Sequence, residues 1–298
     1  MLKKRTFELH LGISLMKQIN SSAELTQYLH QHALSLDKTL GFVPTMGALH
    51  LGHISLLNLA NAQNDISIVS IFVNPTQFNN KSDLDKYPRN IEKDAKLLAT
   101  HNCDVLFTPS VDEMYAADRD EWKHDFGALE NTLEGEFRKG HFEGVGQIVY
   151  KLLNIVNPTN AYFGLKDYQQ FLIIKSLVKE FNLSANIVGA EVIRDNSGLA
   201  MSSRNERLSN IEKLKASVLF KALNQTKLTI WNQSVEELVE QAKSLINKEQ
   251  GVVAEYFEIR NAENLKKVNV LEKNKTYIAL VAANVGNVRL IDNLILNE

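Results

Sequence analysis

The stretch ISIVSIFV, residues 66–73, is apolar at odd and even positions alike, with only its serines interrupting it. A strand with one face in water alternates apolar and polar residues, whereas a strand apolar on both parities must be covered on both faces. Such cover is the habit of parallel sheets, whose connections cross back over the sheet as helices. The surrounding sequence supplies them. TLGFVPT (39–45), CDVLFTP (103–109), NAYFGL (160–165) and ANIVGAEVI (185–193) read as further strands; HISLLNLANAQN, NIEKDAKLLATHN, VGQIVYKLLNIVN and YQQFLIIKSLVKEFN read as helices between them. The expected fold class is α/β, a doubly wound, Rossmann-like parallel sheet over residues 17–192.

After about Ile193 the texture changes. IEKLKASVLFKALNQ and VEELVEQAKSLINKE read as helices rich in Lys and Glu, followed by a strand AEYFEIRN and a hairpin within TYIALVAANVGNVRLIDNLI. This predicts a second, smaller α+β domain over residues 193–298. At the other end, Ser21 and Glu24 have the spacing of a capping box for a first helix, which leaves residues 1–16 as an extension outside the fold. The chain has 298 residues, 44% hydrophobic and 23% charged, enough for one large or two ordinary globular domains. A net charge of −2 gives no bulk attraction to nucleic acid or to an anionic membrane, so small molecules are the expected partners. The single cysteine, Cys103, excludes an intrachain disulfide, and no Cys/His spacing points to structural zinc. No run approaches the roughly 20 apolar residues of a membrane helix. The expected location is the cytoplasm.

The chemistry gathers first at VPTMGALHLGHISLL, residues 43–57, where a buried strand runs through a glycine-containing turn into a helix. In open α/β sheets ligands bind at the carboxyl ends of strands, where helix N-termini offer N–H groups and a positive dipole end to anions. Gly47 and Gly52 let backbone approach a phosphate, while His50 and His53 lie close enough along the helix start to aim at one ligand. Metal ligation is the rival reading, weakened by the lack of a third ligand nearby in sequence. A second candidate, GLAMSSRN (198–205), reads as a mobile loop whose Ser202, Ser203 and Arg204 suit phosphate oxygens. The two together resemble the paired nucleotide-binding signatures of the class I aminoacyl-tRNA synthetase and nucleotidyltransferase superfamily. Asn74 and Gln77, at the end of ISIVSIFV, are neutral amides able to hold a hydroxy acid. Lys166, Asp167 and Gln170 end another strand; a surface ion pair and a phosphate contact both fit Lys166. Arg138 and His141 precede a helix, where a plain exposed loop is the competing explanation.

Taken in order, PTMGALHLGH, FVNPTQF, DLDKYPR, GHFEGV, FGLKDYQQ, GLAMSSRN and the late GNVRLIDN resemble the pantothenate synthetase family from about residue 17 to the end. The resemblance implies an ATP- and Mg²⁺-dependent ligase that joins pantoate to β-alanine through a pantoyl-adenylate. It places Met46, Gly47, Ala48, Leu49, His50, Leu51, Gly52 and His53 in the ATP-binding turn, with both histidines on the phosphates and His53 as proton donor. Gly164, Leu165, Lys166 and Asp167 fall at the adenosine and phosphate contact, with Lys166 on the α-phosphate. Ile193 falls at a backbone contact to adenine, and Met201, Ser202, Ser203 and Arg204 form the phosphate loop. Gln77 falls at the amide shared by pantoate and β-alanine, Gln170 at a second pantoate amide, and Asn74, Tyr87 and Arg138 near the same cavity. No metal ligand is identified. The family also implies a homodimer.

The chain departs from the family pattern at Leu165, where glutamate is usual, at Lys139, where proline is usual, and in DEMYAAD, which lacks the usual M-Y-P. Leu165 is expected on the strand, pointing away from Lys166. Two other functions fit the motifs alone: a nucleotidyltransferase acting on a phosphate or alcohol, and a non-catalytic nucleotide sensor, which would leave Gln77 and Gln170 without a task.

Overall fold

The computed structural model describes residues 16–78, 84–115 and 122–297. The expected extension, up to residue 15, and parts of DLDKYPR and DEMYAAD therefore lie outside the described residues. The chain divides into two compact units: the described residues up to Gly164 together with Ile173–Ala190, and Leu165–Leu172 together with Glu191 onward.

The first unit is built on six parallel strands: β1 (Lys17–Ile19), β2 (Leu40–Thr45), β3 (Ile66–Ile71), β4 (Val105–Phe107), β5 (Asn160–Gly164) and β6 (Asn186–Ala190). Their spatial order is β1-β4-β3-β2-β5-β6, so the chain winds outward from β2 in one direction and then restarts at β5 in the other. The helices are α1 (Ser22–His32), α2 (Leu51–Gln63), α3 (Ile91–Thr100), α4 (Val111–Tyr115), α5 (Glu134–Phe137), α6 (His141–Val156) and α7 (Tyr168–Glu180), the last running on from the second unit's Leu165–Leu172 segment. β3 is buried at Ile66 through Ser70, as its two-sided apolarity requires. One core layer joins Val43, Val69, Leu106 and Tyr162 of the strands to Ile54, Leu57 and Ala60 of α2 and Leu98 of α3. Fully burying a side chain such as Leu57 contributes about 2 kcal/mol.

The switch of winding direction falls between β2 and β5. β2 keeps register with β3 as far as Thr45 but with β5 only at Gly41 and Phe42. The two strands therefore part beyond Phe42, and Pro44, which has no N–H to give, stands where pairing to β5 has stopped. Such a parting of strands at their carboxyl ends is where open α/β sheets hold ligands.

The second unit has an antiparallel sheet, β7 (Val252–Asn261), β8 (Tyr277–Val285) and β9 (Val288–Ile295), in the order β7-β8-β9. Helices α8 (Asn210–Ala216), α9 (Val218–Thr229) and α10 (Val235–Lys248) accompany it. Its separate core includes Leu219, Leu223 and Ile246 from the helices and Phe257, Ala279, Val281 and Leu290 from the sheet. The fold class is thus the expected one.

Three local readings need correction. IEKLKASVLFKALNQ is two helices, broken at Ser217, whose hydroxyl turns back to donate to Leu214 O (2.6 Å). Leu165 is not on a strand: β5 ends at Gly164, and Leu165–Asp167 form a one-turn 3-10 helix. Lys17–Ile19 form an edge strand that was not expected; with Lys17 and Gln18 exposed and only Ile19 buried, it carries too little pattern to recognise. The Ser21 cap is present, its hydroxyl accepting from Glu24 N (3.3 Å), but the Glu24 carboxylate pairs with Lys17 (3.0 Å).

Candidate active site

In the first unit the residues of interest stand beyond the carboxyl ends of β2 and β3. Thr45 ends β2 with its hydroxyl donating to Ser70 O (2.8 Å) and accepting from Gly47 N (3.2 Å), which starts a tight reversal. Gly47 and Ala48 take φ of 81° and 50°, left-handed values that glycine adopts freely and alanine does not. What holds Ala48 there is Asp94, reaching in from the first turn of α3. Its carboxylate accepts from Ala48 N (2.8 Å) and Leu49 N (2.9 Å) while only 2% exposed. Two charge-assisted hydrogen bonds offset a backbone strain of about 1 kcal/mol or more.

The reversal delivers His50 to the N-cap of α2, where its Nδ1 accepts from Gly52 N (3.1 Å); His53 Nδ1 in turn accepts from His50 N (3.3 Å). The rings lie 4.1 Å apart, centroid to centroid. With both Nδ1 atoms accepting from the backbone, each neutral imidazole carries its proton on Nε2. Two Nε2–H donors at a helix N-terminus form an arrangement suited to anionic oxygens.

Past β3, Asn74 and Gln77 form one unit. The Asn74 amide nitrogen donates to Gln77 Oε1 (3.2 Å) and Gly144 O (3.0 Å), while its oxygen accepts from Tyr115 OH (2.6 Å) and Thr76 Oγ1 (3.1 Å). Gln77 Nε2 lies 2.9 Å from Met46 Sδ, at the edge of the histidine turn. Asn74 has committed both donors to the protein, so it fixes Gln77, and Gln77 is the amide better placed to meet a substrate. Helix α6 comes close because Gly144 has no side chain; a Cβ there would stand 2.7 Å from Thr76 C and O. His141, at the start of α6, has Nδ1 2.9 Å from Gln77 O and 3.1 Å from Arg138 Nη2. One ring nitrogen cannot donate to the first and accept from the second. The closer, buried carbonyl takes the proton, which leaves Arg138 beside the ring, 3.9 Å from Glu134. Tyr87 stacks edge-on with Phe78 at 5.7 Å. A cavity of about 490 Å³ opens beyond β2, β3 and β4, lined among others by Met46, Gly47, Phe72, Pro75, Arg89 and Asp94.

In the second unit, Lys166 sits in the 3-10 turn with Nζ 3.4 Å from Asp167 Oδ1. Gln170 follows, half-buried, in the first turn of α7. The expected mobile loop is firmly hydrogen-bonded: Arg194 and Ala200 form an antiparallel bridge, and Met201 N donates to Ile193 O (2.8 Å). Within it the Asp195 carboxyl, though raised by burial, is held below its ordinary value by the Ser197 hydroxyl and the N–H groups of Ser197, Leu199 and Gly198. Ser202 caps the 3-10 turn Ser203–Arg207, its Oγ accepting from Arg204 N (3.3 Å).

A family model described as pantoate-beta-alanine ligase matches residues 17–295. The chain belongs to the pantoate-beta-alanine ligase family. A pantothenate synthetase of Christiangramia forsetii is 45% identical over 269 residues, 90% of this chain and 95% of that protein. That of Flavobacterium psychrophilum is 44% identical over 258 residues, 86% of this chain and 92% of the relative. Among solved structures, pantothenate synthetase from Thermus thermophilus superposes with a TM-score of 0.88 at 35% identity, covering 95% of this chain and all of that one. Pantoate-beta-alanine ligase from Francisella tularensis, complexed with beta-gamma ATP and beta-alanine, gives 0.78 at 37% identity, covering 94% and 98%. As a member of this family the chain is an enzyme, a ligase of pantoate and β-alanine.

For a pantoate-beta-alanine ligase, the residue that sequence reasoning passed over is Asp94. Acidic residues are common in first helical turns because of the helix dipole, so Asp94 looks ordinary. The available signal was its place four residues before Leu98 on the inward stripe of α3, where a carboxylate needs dedicated donors.

Proposed function

We propose that the chain condenses (R)-pantoate with β-alanine by way of pantoyl-adenylate, consuming ATP and releasing AMP and pyrophosphate. A pantoate carboxylate oxygen attacks the α-phosphorus, and the bond to pyrophosphate breaks. The amine of β-alanine then attacks the acyl carbon, and AMP leaves with that carboxylate oxygen. A carboxylate by itself would have to expel oxide; the mixed anhydride gives it AMP as leaving group, so the protein's work is positioning and charge stabilisation.

The observation that carries this reading is the pair of imidazoles with their Nδ1 atoms tied to backbone at the start of α2, in one unit with a buried, pre-oriented Gln77 amide. In this reading His50 and His53 donate to phosphate oxygens, with His53 as proton donor to the departing group. Met46–His53 and Gly164–Asp167 contact ATP, Lys166 neutralises charge growing on the α-phosphate, and Ile193 meets adenine through its backbone. Met201, Ser202, Ser203 and Arg204 hold the remaining phosphates. Gln77 and Gln170 hold pantoate, Gln77 also β-alanine, and Tyr87 and Arg138 stand near them. No protein nucleophile takes part.

Among the described residues no group of three or more His, Cys, Asp or Glu could hold a metal ion. The described side chains do not make a cage for Mg²⁺, and an ion accompanying ATP would take its ligands chiefly from phosphate and water. The assembly in this reading is a homodimer, and the reaction a cytoplasmic one. Among the described residues no helix is long and apolar enough to cross a membrane.

The test is exchange of labelled pyrophosphate into ATP. The reading requires exchange with pantoate alone and amide product only after β-alanine is added; exchange that waits for β-alanine would rule out a free-standing adenylate.

A further inference from the structure

The GNVRLIDN segment, part of the family resemblance, has no role in the reading above, yet the second unit is organised around it. β9 alternates inward and half-exposed residues from Val288 to Asp292, and Asn293 then breaks the pattern by being buried as well (5%). Adjacent residues of a strand point to opposite faces, so this pair of polar side chains is buried on both sides of β9. On one side the Asp292 carboxylate receives Arg194 bidentately, at 2.5 and 2.9 Å. On the other, Asn293 Nδ2 donates to Leu165 O (2.9 Å) and Lys166 O (2.8 Å), spending both amide protons on the turn that carries Lys166.

Arg194 extends the connection. Its Nη1 donates to Gly198 O (3.1 Å), its Nη2 to Asn293 O (3.1 Å), and its guanidinium lies 4.1 Å over the Phe220 ring. Phe220 also stands 2.5 Å from where a Cβ on Gly198 would be, so the loop is closed down onto it. One constellation therefore ties together the 3-10 turn of Lys166, the backbone beside Ile193 and the start of the loop that ends in Ser202–Arg204. We propose that Arg194, Asp292 and Asn293 are positioning residues for adenylate formation, setting the Lys166 turn and the 198–204 loop in fixed relation. This rests on the adenylating function proposed above. The chemistry that requires it is phosphoryl activation: displacing a charged group by about an ångström costs on the order of a hundredfold in rate.

The primary variant is Asn293→Leu, close in shape but without donors, compared with Asn297→Leu. Asn297 donates to Lys275 O (2.7 Å) and accepts from Tyr277 N (2.9 Å) in the same unit, so it reports loss of a loop tie unconnected to Lys166. Asn293→Leu is expected to slow pantoate-dependent pyrophosphate exchange at saturating ATP about tenfold to a hundredfold, leaving KM for β-alanine unchanged; Asn297→Leu should leave exchange at the wild-type rate. Because Asn293 acts through Lys166, adding Asn293→Leu to Lys166→Ala should cost little beyond Lys166→Ala alone. Equal exchange rates in the two asparagine variants, or fully multiplicative losses in the double variant, would overturn the proposal. Should Asn293→Leu not fold, Arg194→Lys keeps the charge beside Asp292 but loses the fork; it is expected to raise KM for ATP at least tenfold, and an unchanged KM and kcat would overturn the proposal equally. A wild-type protein with no exchange at all would instead reject the underlying function.

Discussion

At the scale of single residues, the groups proposed to meet substrate are distinct from the groups that hold them in place. Lys166→Ala is expected to lower kcat about a hundredfold with little change in melting temperature, as for loss of one charge-stabilising donor. Asp94→Asn should act differently. The amide can accept from one of Ala48 N and Leu49 N but presents N–H to the other, so the left-handed Ala48 loses its restraint. Loss of a buried hydrogen bond to a charged group costs about 1.5–3 kcal/mol; the expected result is a lower urea midpoint together with a KM for ATP raised at least tenfold. Cys103 has no role in the proposed chemistry. Burial and the neighbouring Asp104 push its thiol up to about 12, and its Sγ donates to Val105 O (3.2 Å). Its contribution to stability is complete below the unfolded value of 9.0 and is lost as pH rises toward about 12, because the unfolded chain ionises first. Native protein should accordingly resist a thiol-specific disulfide reagent at pH 8 and react fully only when denatured; rapid native labelling would contradict this burial. A single sequence does not name the partners of these holding residues. Asp94 reaches its partners from 46 positions away and Arg194 reaches Asp292 from 98, so only the fold reveals what they bind.

At the scale of elements, capping and close approach set what is rigid. Ser234 and Glu237 form a full capping box at the start of α10, far in sequence from every residue assigned to substrate. Ser234→Ala should cost about 1 kcal/mol in urea unfolding and leave turnover unchanged. Gly144→Ala should affect both: its Cβ would stand 2.7 Å from Thr76 C and O and 2.8 Å from Gln77 N, so backbone must shift and carry the Gln77 amide with it, and the expected readout is a higher KM for pantoate together with a loss of about 1–3 kcal/mol in urea unfolding. The elements that could be read from sequence were those with strong local signals. β3 shows its two-sided burial in its own residues, and α10 announces itself by Ser234, Glu237 and an amphipathic stripe ending at Ile246. What escaped had a local signal pointing elsewhere. Leu165 continues the apolar run of β5 although the chain has already turned, and Asn293 donates to the carbonyls that fix that turn. IEKLKASVLFKALNQ has helical periodicity throughout, and a single hydroxyl at Ser217 breaks it.

At the scale of the whole molecule, two cores of separate composition carry the residues to which the proposed chemistry is assigned. The parallel sheet places the imidazole turn and Gln77 beyond the ends of β2 and β3, while the antiparallel sheet supplies the strand that organises the Lys166 turn and the 198–204 loop. The H-x-G-H turn and the amides stand out in sequence because glycines, imidazoles and neutral amides gather at strand ends, where open α/β sheets hold ligands. The central claim is that pantoate's own carboxylate oxygen is transferred to AMP. Pantoate labelled with oxygen-18 in its carboxylate, turned over with ATP and β-alanine, tests it directly by mass spectrometry of the products. One labelled oxygen should appear in AMP and none in pyrophosphate; unlabelled AMP would contradict the account.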